Sequence, residues 1–272
     1  MASVAAQSLF VAIPGWGAPN LGKKREILSN NLQAIARGPW GDITIRIFQY
    51  DTSVAATIAL TEALRAAPRG AVTEIVPGPG IVGDFLRTAV CPEDPAVSRA
   101  DAVLLLLDDV ELQPSVDFAA AMKLLCDFGP AVIVPALTAD SLHVFPHMIQ
   151  RPEPFQEFHT VTVTPVAEFF AYLMDTVSYA RYHSFLSPDN PWMWGADLIL
   201  TRRMGLRVLL LNAMTVRHHF RGSGDATETF AQRARFLASH GETEQDVAAQ
   251  PSALYTILVP AAPAPAPAPA RI

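Results

Sequence analysis

The run Ala102–Leu107 (AVLLLL) is closed by three acids within four positions, Asp108, Asp109 and Glu111. It falls far short of the about 20 apolar residues that a bilayer span needs. A short continuous apolar run of this kind reads as a strand buried on both faces, in the middle of a mostly parallel sheet. Open α/β sheets bind ligands beyond the carboxyl ends of such strands, which is where these acids fall. Asp109 and Glu111 lie two apart, so a continuing strand puts both on one side and Asp108 on the other. Only a turn at Val110 would bring all three together. Carboxylates there suit a hard cation, Mn2+ or Mg2+, whose shell is usually completed by phosphate oxygens and water. An acidic loop after a core strand would carry the same residues.

The flanking sequence supports such a sheet. Ser8–Pro14, Ile43–Tyr50, Ala71–Val76 and Ala131–Pro135 read as strands. Helical patterns separate them: Asn20 to Ile35, Ala55–Ala66 capped by Ser53, Gly83–Val90, and a helix from Pro114 or Ser115 to Phe128. This alternation predicts an α/β fold with a mostly parallel central sheet flanked by helices. Further on, His159–Thr164 alternates like a half-exposed strand, and a helix is expected from Val166 or Glu168. Another helix is expected from the Trp192–Asp197 region to Met204, then strands at Arg207–Leu211 and Thr215–Phe220 and a last helix at Phe230–Ala238. Residues 1–258 are taken as one domain and 259–272 as a disordered Pro/Ala-rich tail, because that composition builds no core.

The formal net charge of −6 argues against a nucleic-acid partner, since no basic excess replaces phosphate counterions. Two cysteines make no disulfide framework and suit a reducing compartment. The apolar N-terminus lacks a positive flank, and no segment reads as a membrane span, so a soluble cytoplasmic protein is expected.

Four further features carry chemistry. Gly15-Trp16-Gly17 after the first strand matches neither a dinucleotide fingerprint nor a P-loop, and reads first as a turn. Asp51 ends the second strand, where it could accept hydrogen bonds from a base or ribose or simply start the next helix. Trp194-Gly195-Ala196-Asp197 joins a flat aromatic, which suits a sugar face, to an acid able to take a hydroxyl proton. Its plainer reading is a helix-start acid beside core tryptophans. His218-His219 could supply an imidazole to the acidic site, or a hydrogen-bonded structural pair.

Taken in order, a strand ending Leu107-Asp108-Asp109-Val110-Glu111, a downstream Trp194-Gly195-x-Asp197 and a later Val216-x-His218 resemble a GT-A fold glycosyltransferase with its DxD-type acidic motif. More narrowly, Leu104–Phe220 is similar to an uncharacterised GT-A-like family known mainly from plants, which carries Gly-Trp-Gly-Leu-Asp before a closing Val-His. Met193 stands for its first glycine, Ala196 for its leucine, and Glu111 for its usual aspartate. The resemblance implies a nucleotide-sugar-binding half at 1–113 and an acceptor-side half at 114–258. It implies a nucleoside-diphosphate sugar donor, a glycan or other hydroxyl acceptor, and Mn2+ (or Mg2+) on Asp109, Glu111 and one of His218 and His219. Asp51, Asp108, Trp194 and Gly195 are expected at the donor, Asp197 is the candidate base, and Arg202, Arg203, Arg217 and Arg221 are candidates to offset diphosphate charge. A catalytically inactive nucleotide- or glycan-binding module and a divalent-metal phosphohydrolase use the same acids.

Overall fold

The computed structural model describes residues 7–142, 145–155, 157–220 and 226–261. The first half lays down β1 (Gln7–Ile13), α1 (Leu21–Ala36), β2 (Trp40–Gln49), α2 (Val54–Leu64), β3 (Val72–Pro77), α3 (Val82–Ala89), α4 (Pro95–Ser98) and β4 (Ala102–Leu106). Its strands pair in parallel in the order β3-β2-β1-β4. β4 is the apolar run, with every residue buried, as a strand covered on both faces requires. β3, at the sheet edge, mixes exposed and half-buried residues and buries none fully. Helix starts follow local chemistry. Ser53 Oγ accepts from Ala56 N–H, and an N-cap of this kind contributes about 1 kcal/mol.

The second half adds β5 (Val110–Leu112), α5 (Phe118–Phe128), β6 (Ala131–Leu137), β7 (Phe158–Thr164), β8 (Ala171–Met174), α6 (Thr176–His183), β9 (Arg207–His218), α7 (Ala226–Ser239), α8 (Glu244–Ala248) and β10 (Tyr255–Pro260). These complete one sheet in the order β10-β7-β9-β6-β8-β4-β1-β2-β3, with β5 pairing β9 off this path. β8 runs antiparallel between β4 and β6, and β7 and β10 are antiparallel at the far edge. The result is a single α/β domain with a mostly parallel central sheet. Among the described residues, no helix is long and apolar enough to cross a membrane.

Three expectations are corrected. The aromatic-rich stretch after Thr164 is a loop and the strand β8, all four of whose residues are buried. A run that short fits helix and strand alike, and its slot between β4 and β6 decides for strand. The helix expected through Met204 is a single 3-10 turn, Ala196–Leu198, followed by further turns. The two strands expected at 207–220 are one strand, β9, whose register against β6 shifts between Leu211 and Thr215. β10 includes Val259 and Pro260, which the sequence reading assigns to the tail. Residues 262–272 of that tail lie outside the described residues.

Candidate functional site

The chain turns sharply where β4 ends. Val110 N–H donates to the Leu107 carbonyl at 3.3 Å, so Asp108 and Asp109 are the central residues of a tight turn rather than a continuation of the strand. The three acids therefore leave in three directions.

Asp108 turns toward β1 and α1. Its Oδ2 lies 2.7 Å from Lys24 Nζ. Lys24 is only 7% exposed, and its ammonium also donates to the Gly17 carbonyl at 2.9 Å and the Tyr50 hydroxyl at 3.4 Å. Burial pushes the Asp108 carboxyl up to about 6, helped by neighbouring Asp109 and opposed by Lys24. Burial works against the Lys24 ammonium too, yet Asp108 outweighs it and holds its pKa above the ordinary value.

Asp109 meets β9. The antiparallel β5–β9 register sets Val110 opposite His218, and this brings His218 Nε2 to 3.3 Å from Asp109 Oδ2. The other ring nitrogen, Nδ1, lies 2.7 Å from the Leu142 carbonyl, which can only accept, so Nδ1 carries a proton. Both nitrogens thus face oxygen acceptors. Burial opposes a charged ring here, but the Asp109 carboxylate outweighs it and raises the His218 pKa.

Glu111 points to α1. Asn30 Nδ2 donates to its Oε1 at 2.7 Å, and His219 Nε2 lies 2.7 Å from its Oε2. Burial would raise its pKa, but these two partners outweigh it and hold the carboxyl low. Asn31, the next residue on α1, bonds the β5 backbone twice: Nδ2 donates to the Val110 carbonyl at 2.7 Å, and Oδ1 accepts from Leu112 N–H at 2.7 Å. Removing this side chain in Asn31→Ala orphans two buried backbone groups. It should cost about 1–3 kcal/mol, read as a lower denaturant midpoint.

The four expected metal ligands thus divide into two pairs, Asp109–His218 and Glu111–His219. Among the described residues, no group of three or more His, Cys, Asp or Glu side chains stands close enough to hold a metal ion. The physical reason is the turn at 107–110, which breaks the strand alternation that would have set Asp109 beside Glu111. The Asp109–His218 pair nevertheless fits a divalent ion in its donor chemistry. A carboxylate faces an imidazole nitrogen whose partner nitrogen is fixed by a carbonyl, the orientation metal-bound histidines take. Mn2+ and Mg2+ sites often use one or two protein carboxylates and take further oxygens from substrate phosphates.

Asp51 stands just past the end of β2, half-buried, with Oδ2 accepting from Ala18 N–H at 3.1 Å and Oδ1 from Ser53 N–H at 3.0 Å. The Ser53 and Ala18 bonds lower its pKa. It anchors the Gly17–Ala18 loop against the start of α2. A Cβ at Gly17 would collide with the Tyr50 ring and lie 2.6 Å from Asp51 Cβ, so this glycine serves close approach of β1 and β2. Trp16 between the glycines is fully buried and donates from Nε1 to the Ala56 carbonyl at 3.0 Å.

Asp197 is the middle residue of the 3-10 turn Ala196–Leu198, after Trp194 and Gly195. Gly195 has φ +87°, and a Cβ there would come within 3.0 Å of Arg233 Cγ on α7. Met193 takes φ 61°, a left-handed backbone that glycine tolerates best, which is the residue the resembled family carries there. Trp194 is half-buried and its carbonyl accepts from Asn190 Nδ2 at 3.0 Å. Burial pushes Asp197 up to about 7, with the charge of Glu168 adding to the shift and Arg233 opposing it. Glu168 also favours the charged ring of His218, so its charge acts on both Asp197 and the Asp109–His218 pair.

Sequence reasoning missed Lys24, Asn30, Asn31 and Glu168. A signal for two of them existed, because Lys24 and Asn31 fall on the helical stripe with Ile27, Leu28, Leu32 and Ile35, which α1 buries. Arg202 and Arg203 bind buried Glu242 at 3.2 and 2.6 Å, Arg217 pairs Asp140 at 2.7 Å, and Arg221 lies outside the described residues.

No family model matches the chain, and no curated protein matches it in sequence. Solved structures do. The mannosyltransferase PcManGT from Pyrobaculum calidifontis, in complex with GDP-Man and Mn2+, is 14% identical with a TM-score of 0.52 over 87% of this chain, which spans 64% of that protein's length. S. aureus TarS 1–349 in complex with UDP matches at 12% identity and a TM-score of 0.41, over 86% of this chain and 71% of its own. The inositol-1-phosphate CTP transferase from T. maritima matches at 10% identity and a TM-score of 0.43, over 85% of this chain and 96% of its own. The likeness to the mannosyltransferase shows a shared GT-A-like fold, and at this identity the fold alone.

Proposed function

We propose that the protein transfers a sugar from a nucleoside-diphosphate sugar to an acceptor hydroxyl. The observation that carries the reading is the Asp108-Asp109 turn facing His218 at the carboxyl ends of β4 and β9, within a GT-A-like sheet. A Mn2+ or Mg2+ ion would be held by Asp109 and His218 and would supply positive charge to the departing diphosphate. Glu111 holds β5 against α1 through Asn30 and against the residue after β9 through His219, and so keeps that pair in place. Asp51 and Asp108 accept hydrogen bonds from the nucleoside of the donor, and Trp194 with Gly195 forms a wall of the sugar pocket. Asp197 takes the acceptor hydroxyl's proton as its oxygen bonds to the anomeric carbon and the bond to the diphosphate breaks.

The test is thermal stability with UDP, GDP and CMP, and with their sugar conjugates, in Mn2+, in Mg2+ and in chelator. A ligand at a hundred times its Kd should stabilise by about 2.7 kcal/mol, and chelator should remove that gain. Folded protein that shifts with none of them overturns the reading. Donor binding without transfer or hydrolysis would instead identify a binding module.

A further inference from the structure

Lys24 is charged, sits on the buried face of α1 and has no part in the chemistry above. A lysine is almost never this buried without a specific partner, and Lys24 has three, each at the carboxyl end of a different strand. Asp108 follows β4, the Gly17 carbonyl follows β1, and the Tyr50 hydroxyl follows β2. Tyr50 in turn donates to the Ala18 carbonyl at 2.8 Å, so one ammonium ties three strand ends into a single floor. The two oxygens of Asp108 are not equivalent within it. Oδ2 is sealed from solvent against Lys24. Oδ1 faces Gly15, where even a Cβ would stay 3.6 Å away, and the Asp108 side chain keeps 15% of its surface open.

We propose that Lys24 is a positioning residue of the donor site, clamping Asp108 by Oδ2 so that Oδ1 is presented as the acceptor for a ribose hydroxyl. The inference rests on the glycosyl-transfer reading. An amine clamp suits the task because it fixes one oxygen and balances the carboxylate's charge next to an incoming diphosphate. A hydroxyl donor reaching a fixed, partly buried acceptor is discriminated strongly from a ligand lacking it.

The test has two arms. The chain contains three lysines, Lys23, Lys24 and Lys123. Acylation by an N-hydroxysuccinimide ester, read per residue by mass spectrometry, should modify Lys23 and Lys123 at least tenfold faster than Lys24. Asp108→Asn should bring Lys24 toward the rate of Lys23. Equal labelling in the wild type overturns the clamp, and this arm needs no bound nucleotide. The second arm compares Kd for UDP and GDP with their 2′- and 3′-deoxy forms, in Mn2+. Wild type should prefer a ribose form about tenfold or more, and Lys24→Met, folded by circular dichroism, should lose that preference. A Lys24→Met protein that keeps the wild-type ratio overturns the inference. Wild type that binds the diphosphates with no ribose preference overturns it too and leaves the transfer reading standing. Wild type that binds none overturns the transfer reading and, with it, this one.

Discussion

Asp197→Asn is expected to lower turnover by about 10²- to 10⁴-fold, the usual range for removing a general base, while leaving nucleotide binding within about twofold of wild type. The wild-type rate should climb with pH through about 7 and level off above it, because the carboxyl must be ionised to accept a proton and burial holds its pKa up to about 7. The same shift makes a stability prediction of opposite sense. The folded value exceeds the ordinary 3.8, so between roughly pH 4 and 7 the folded chain keeps a proton that the unfolded chain has released. Stability at this site is therefore fully present below about pH 4, declines across that window, and stays low above it. Asparagine has no such titration. The variant should gain Tm relative to wild type at pH 8 and lose that gain as pH falls to 4, when both are scanned in parallel. A variant that keeps full turnover would remove Asp197 from the chemistry. An unchanged Tm difference across pH would contradict its raised pKa.

Asp109→Ala is expected to abolish the divalent-dependent part of nucleotide binding and lower turnover at least a hundredfold, about 2.7 kcal/mol in the barrier. The control is Glu111→Gln, which keeps the shape of the side chain that Asn30 and His219 hold. It should retain metal-dependent binding within about tenfold. Isothermal titration of UDP or GDP with Mn2+, against the same titration in chelator, separates the two. If Glu111→Gln and Asp109→Ala lose binding equally, the ion sits across both pairs rather than on Asp109 and His218. If neither changes, the site does not use these carboxylates for an ion at all.

Part of this site is legible in the amino-acid sequence because it follows from short-range pattern. A continuous apolar run ending in acids marks β4 and the carboxylates at its carboxyl end, and strand–helix alternation marks the fold. The approach of His218 to Asp109 also follows from elements recognisable one at a time. What escapes is whatever depends on a turn or on a distant partner. The turn at Leu107–Val110 separates Glu111 from Asp109, and no alternation rule anticipates it. Asn30 looks like an ordinary helix-surface residue, and Asn31 on the buried stripe names no partner, until β5, some eighty positions away, docks on them. Glu168 sits where a helix is expected to start, and the buried slot between β4 and β6 makes the residues that follow it a strand instead.

The insertion of β8 between β4 and β6 bears on how the chain can be divided. The half that ends near residue 113 carries β4, the most apolar strand, but its neighbour on one flank comes from the other half, and β5 pairs with β9, also from the other half. Cut there, the N-terminal fragment would present a naked, wholly hydrophobic edge, the kind that recruits other chains. It should be insoluble when expressed alone and recover only when the complementary fragment is supplied with it. The two halves thus depend on each other to close one sheet, and variation that preserves the fold falls in the loops rather than in an exchange of halves.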